Sequence, residues 1–158
     1  MQGQTSRISQ ISTFHVSSFH LYDVSAFPLV TSRSEAMPPG YASRWCDEMT
    51  SLVGQDRPFV LIHGPHAAEE THEDRKRRAI WLKQHKTLLG QLCRTLIHIE
   101  PDPDRRAAMQ AQAAMAVKAF GVPVAMAATM AEALVLGNAA LSAVRAHDDA
   151  GAQDDAAR

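Results

Sequence analysis

Between Phe59 and Thr129 short unbroken apolar runs alternate with long stretches whose apolar residues recur every three or four positions. Phe59 to Ile62, inside Phe-Val-Leu-Ile-His-Gly, is apolar throughout, as expected of a strand covered on both faces. Leu96 to Ile99, inside Arg-Thr-Leu-Ile-His-Ile-Glu, predicts a second such strand. Val122 to Ala127 predicts a third, with Pro123 pointing to an edge or to the strand's first residues. Between the first two, Trp81, His85, Leu88 and Leu92, flanked by Leu82 and Leu89, form a helical stripe ending near Cys93. Thr71 and Asp74 predict an approximate capping box at its start. Between the second and third strands, Met109, Ala113, Ala116, Val117 and Phe120 repeat at helical spacing. Asp102 is placed as N-cap, Pro103 at the first helical position and Gly121 as a left-handed stop. Strands alternating with helices define a parallel sheet with crossover helices.

The flanks extend the pattern. Phe19 to Ala26 and Phe27 to Ser32 are β-favouring and predict a hairpin at the sheet edge. After the breaker Met37-Pro38-Pro39-Gly40, a helix is expected with Tyr41, Trp45, Met49 and Leu52 inward, and Arg44, Asp47 and Glu48 in water. Thr129 and Glu132 predict a capping box for a last helix, with Met130, Leu134, Leu141 and Val144 as its stripe. The expectation is a single α/β domain over residues 18–146, with about five strands in a mixed, mostly parallel sheet and about four helices. Residues 1–17 are expected as a flexible arm and 147–158 as a disordered acidic tail. No internal repeat is read beyond the strand–helix alternation.

Composition narrows the picture only slightly. The chain has 158 residues, long enough for one buried core, with 46% hydrophobic and 21% charged residues. A formal net charge of -1 gives no electrostatic reason to expect nucleic acid or an anionic membrane as partner. The opening Met-Gln-Gly-Gln-Thr-Ser-Arg lacks the apolar core of a signal peptide, and the apolar region 122–144 is broken by Glu132, Gly137 and Asn138. A cytoplasmic protein without a membrane span is therefore expected. Cys46 and Cys93 both fall among apolar neighbours in predicted helices, so free buried thiols are expected and not a disulfide.

The order of elements, with the segments FVLIHGP, RKRRAIWLKQHKTLLGQLC, RTLIHIEPD and GVPVAMAATMAEAL, resembles the SpoIIAA-like or STAS-like small α/β domains over roughly residues 19–146. The resemblance implies a non-enzymatic binding or regulatory module acting through a protein partner or a homodimer. In the anti-sigma antagonist branch a serine at the start of the helix after the central strand is phosphorylated. Here the matching junction, His63 to Thr71, has no serine, and its one hydroxyl, Thr71, is expected to be occupied as a helix cap.

In open α/β sheets ligands gather beyond the carboxyl ends of the strands. His63, His66, Thr71 and Glu100 are therefore the candidate rim for a ligand or partner. His63, His66 and His72, among Glu69, Glu70 and Glu73, give an alternative reading as a divalent metal or small-ligand site, because neutral imidazoles and carboxylates suit zinc, nickel or iron. A third reading is an enzyme in which His98 and Glu100, two apart on one strand, act as an acid–base pair. No nucleophilic residue is assigned, since there is no Gly-x-Ser-x-Gly elbow and neither cysteine heads a helix. His85 is expected to bond a backbone carbonyl, and Arg75 to Arg78 to form a solvated helix face.

Overall fold

The computed structural model describes residues 18–33, 37–65 and 69–154. Its strands are β1 (Tyr22–Asp23), β2 (Leu29–Ser32), β3 (Phe59–His63), β4 (Cys93–Ile99) and β5 (Val124–Ala127). Its helices are α1 (Ala42–Val53), α2 (His72–Leu92), α3 (Pro103–Phe120) and α4 (Met130–Asp154). The five strands form one sheet in chain order, β1 antiparallel to β2 and every other pair parallel. The domain is thus α/β with a mixed, mostly parallel sheet, and the leading hairpin lies at its edge. No helix among the described residues is long and apolar enough to cross a membrane.

Parallel neighbours joined by right-handed crossovers, each stepping the same way, put α1, α2 and α3 on one face of the sheet. Strand alternation then divides the core. Phe59 and Leu61 of β3 face the first three helices, in a cluster with Tyr22, Trp45, Met49, Trp81 and Leu89. Val60 and Ile62, with Ile97 and Ile99 of β4, face α4 through Ala133, Leu136 and Ala140. Gly137 lets α4 lie close, since a Cβ there would stand 2.8 Å from Leu29 Cδ2 and 3.3 Å from Val60 Cγ1.

The predicted caps form. Thr71 Oγ1 accepts from Asp74 N–H at 3.0 Å, and the Asp74 carboxylate accepts from Thr71 N–H at 3.1 Å. That carboxylate also accepts from the N–H groups of Gly40 at 2.8 Å and Ala42 at 3.1 Å, tying the start of α1 to that of α2. Asp102 caps α3 through Arg105 N–H at 2.8 Å, and Gly121 ends it at φ 70°. Thr129 Oγ1 accepts from Glu132 N–H, while Glu132 reaches back to Ala128 N–H, one residue earlier than in a standard box.

Two expectations are corrected. Glu48 is 3% exposed, not wet: its carboxylate accepts from the N–H groups of His20, Leu21 and Tyr22 and binds the edge strand to α1. The inward stripe of α2 is Trp81, Leu89 and Leu92, while Leu88 faces outward, because Trp81 must stand against Trp45 of α1 with ring centroids 5.3 Å apart. The backbone remains helical through residues 147–154, part of the stretch expected as a disordered tail. Residues 1–17 and 155–158 lie outside the described residues.

Candidate functional site

Register brings two histidines together at the carboxyl end of the sheet. Leu61, Ile62 and His63 pair with Leu96, Ile97 and His98, so both imidazoles leave the same face on adjacent strands. Their ring centroids are 5.3 Å apart and nearly perpendicular. Tyr22 reaches the pair from the sheet edge: its hydroxyl lies 3.2 Å from His63 Nε2 and 3.0 Å from Trp45 Nε1. Indole nitrogen only donates, so the phenol oxygen accepts from Trp45 and keeps its own proton for His63 Nε2. With the phenol donating, His63 carries its proton on Nδ1; with Nε2 protonated, the phenol accepts from both rings.

Electrostatics keep both imidazoles uncharged. Burial, then the neighbouring His98 and Arg78, pushes His63 down to about 3, and burial lowers His98 too. Both rings are therefore neutral near pH 7. Burial holds the Tyr22 phenol protonated, well above its ordinary range, against the smaller opposing effect of the Trp45 hydrogen bond. Arg78 lies across the opening with its guanidinium 5.0 Å above the Trp45 ring. It pairs with Glu70, which also accepts from Tyr41 Oη at 3.2 Å and has Arg75 Nε at 3.7 Å. The Nε of Arg78 is buried without a hydrogen-bond partner among the described residues.

Around this cluster is a cleft in two joined compartments, both walled by Tyr22, Trp45, His63, Arg78, His98 and Met109. The apolar one, about 310 Å³, is lined by Leu82, Leu89, Leu96, Ala113, Val124 and Met126, with Gln112 as a polar side chain among them. The polar one, about 360 Å³, adds Ser32, Tyr41, Gly64, Glu70 and Glu100. The cleft exists because α2 and α3 meet closely near their carboxyl ends, where a Cβ on Gly90 would come within 3.3 Å of the Gly121 carbonyl oxygen. Over their amino-terminal halves the sheet is incompletely covered. Leu96, His98, Val124 and Met126 are half-buried, whereas Ile97 and Ala127 on the opposite face are fully buried.

Of the predicted rim, His63 and Glu100 border the cleft. Thr71 serves as the cap of α2, and His66 lies outside the described residues. His63 turns inward to Tyr22 while His72 is exposed at the first residue of α2. Among the described residues no group of three or more His, Cys, Asp or Glu is arranged to hold a metal. His98 and Glu100 both border the polar compartment without a hydrogen bond between them among the described residues. Glu100 instead accepts from Asp102 N–H at 2.9 Å and from Arg105 at 3.2 Å. His85 bonds the Trp81 carbonyl oxygen through Nδ1 at 2.8 Å, as expected. Arg78, expected in water with its basic neighbours, is the site residue sequence reasoning missed, together with Tyr22. The pairing of His63 with His98 did carry a signal: Leu-Ile-His occurs at 61–63 and again at 96–98, at equivalent places in consecutive strands.

No family model matches the chain, and no curated protein or solved structure matches it.

Proposed function

We propose that this chain is a STAS-like binding module whose cleft takes up a small molecule with an apolar body and a polar head. The observation that carries the reading is the half-open cleft, apolar within and headed by two neutral histidines, at the carboxyl end of the parallel strands where such folds bind ligands. The leading antiparallel pair and the sequential parallel strands support the STAS-like assignment of the architecture. A binding role is favoured over a catalytic one by the state of the groups present. Burial pushes the Cys93 thiol up to about 12 and holds His63 at about 3, so neither changes protonation near neutral pH.

The test is fluorescence titration with 1-aminoanthracene, a neutral apolar dye, on wild type and Ala113→Trp. Ala113 lines the apolar compartment at 6% exposure, so an indole there fills it. Dye binding by wild type and its loss in a folded Ala113→Trp protein are expected. No binding by wild type, or equal binding by both, overturns the reading.

A second reading, contact with a protein partner or a second copy, is favoured by apolar side chains left in water on the outer helices. Met115 is 76% exposed and Val135 68% exposed. A light-scattering mass that stays monomeric across concentration, with no partner retained on the immobilised protein, refutes it.

A further inference from the structure

Resting on the binding role proposed above, the cleft has a chemical asymmetry that narrows the occupant to one class. The polar groups that wall both compartments stand together, and the rest of the apolar compartment is lined by hydrocarbon and thioether apart from the Cys93 thiol and the amide of Gln112, a residue exposed to solvent. At the polar end the capacity left unspent is mostly donor capacity. Tyr22 Oη accepts from Trp45 and shares one hydrogen bond with His63 Nε2. With the phenol donating, His63 retains only its Nδ1–H. The His98 ring, which makes no hydrogen bond among the described residues, retains one N–H and one acceptor nitrogen. Arg78 donates through Nη1 to Glu70 and adds further N–H groups, among them a buried and unmatched Nε–H. N–H donors therefore outnumber acceptors among these three side chains.

The carboxylates beside the cleft are already engaged, Glu70 by Tyr41 and two arginines and Glu100 by Asp102 N–H and Arg105. A head that only accepts hydrogen bonds and carries negative charge complements such a donor set. An alcohol adds a donor where donors are in excess, and an amine is set against Arg78. A second carboxylate at the far end of the ligand would be stranded in the apolar compartment, which is costly.

We infer that the cleft binds a medium-chain monocarboxylic acid, its carboxylate among His63, His98 and Arg78 and its hydrocarbon chain along Leu82, Leu96 and Met126. The modest size of the apolar compartment, about 310 Å³, limits the chain. Affinity should rise about fourfold with each added methylene that is buried, then stop rising once the compartment is full.

The experiment is displacement of 1-aminoanthracene at pH 7.5 by hexanoate, octanoate, decanoate and dodecanoate, with decanol and methyl decanoate as neutral counterparts. Decanoate should displace the dye at least tenfold more effectively than decanol or the ester. His98→Leu, which breaks no hydrogen bond among the described residues, should narrow that preference about fivefold. Arg78→Met should abolish the preference, with circular dichroism reporting whether it folds; His98→Leu decides the matter if it does not. Equal or better displacement by decanol or the ester overturns the carboxylate assignment and leaves the cleft a ligand site. A preference unmoved by His98→Leu likewise overturns the placement of the head. Failure of the dye and of every decyl compound to bind wild type removes the binding role itself, and this inference with it.

Discussion

Tyr22→Phe isolates the hydrogen bonds at the head of the cleft while leaving the ring in place. Tyr22 is 0% exposed and Trp45 5% exposed, so no water stands ready to replace the lost hydroxyl on the Trp45 side. The substitution strands the Trp45 Nε1–H, and a buried donor without a partner costs about 1–3 kcal/mol. The loss at His63 is smaller, because that ring borders the cleft and its Nε2 can turn to solvent. The expected destabilisation is about 2 kcal/mol, which for a domain of this length lowers Tm by about 4–8 °C.

A double-mutant cycle separates this hydrogen bond from simple packing. Trp45→Phe alone removes the donor but also loses contact with Trp81 and Arg78. Once Tyr22 has lost its hydroxyl, deleting the Trp45 N–H no longer breaks a bond and removes a stranded group. The double variant should therefore be less destabilised than the sum of the two singles by about 1 kcal/mol. Urea titrations followed by circular dichroism at pH 7 give all four stabilities. A Tyr22→Phe protein within about 0.5 kcal/mol of wild type, or additive singles, refutes the reasoning, since additivity to that margin marks independent sites.

Four further outcomes are expected. His63 lies at about 3 when folded against an ordinary 6.5, so the unfolded chain binds the extra proton between those values. Stability should be full above about pH 6.5 and fall as acid is added toward pH 3, by at most about 1.4 kcal/mol per pH unit for one proton. His98 shifts the same way, so His63→Gln should reduce the slope between pH 6 and 4 without abolishing it; an unchanged slope in urea unfolding contradicts this. Gly137→Leu should cost about 1–3 kcal/mol by pushing α4 off Leu29 and Val60, and a Tm equal to wild type would count against the close approach. Glu48→Ala should cost about 2 kcal/mol by freeing the amides of His20, Leu21 and Tyr22, visible as faster hydrogen exchange at those three positions. Cys93 is 1% exposed with its thiol pushed up to about 12 by burial, so Ellman's reagent at pH 8 should label no more than the half-buried Cys46 until urea is added.

The sheet was legible because its signals are local. An unbroken apolar run at Phe59 to Ile62, a cap at Thr71 and a left-handed stop at Gly121 each declare themselves within a few residues. The rotational setting of α2 was less legible, since apolar residues lie on several sides of it. Only the demand that Trp81 meet Trp45 decides between Leu88 and Leu89. Glu48 and Arg78 illustrate a different failure. Charged residues on amphipathic helices read as solvated, and nothing near Glu48 in the chain announces three amides more than twenty-five residues away that need an acceptor. The candidate site was half legible: His63 and Glu100 were singled out together as rim residues and His98 was paired with Glu100, but His63 and His98 were never grouped. The parallel register that places His63 beside His98 is a long-range fact, recorded in sequence only by the repeated Leu-Ile-His.

The two faces of one sheet were closed to different degrees by the same kind of residue. On the α4 side small residues serve close approach: Gly137, Ala133 and Ala140 bring the helix backbone down onto Val60 and Ile97, and that face is sealed. On the other side α3 is also rich in alanine, with Ala113 its buried contact, but α2 and α3 are held together at Gly90 and Gly121 and not above. A short side chain on a helix that cannot descend leaves space, and here that space lies over Leu96, Val124 and Met126. Leaving it unfilled forfeits packing that one larger side chain at residue 113 would supply. Apart from the exposed Gln112, the charged and strongly polar residues of this gap gather at its head, where His63, His98, Tyr22 and Arg78 converge from two strands, the sheet edge and a helix. An apolar chamber with its unspent donors at one end has the form of a site for an amphiphile, and that distribution of groups, more than the cavity's volume, is what the dye and decanoate titrations examine.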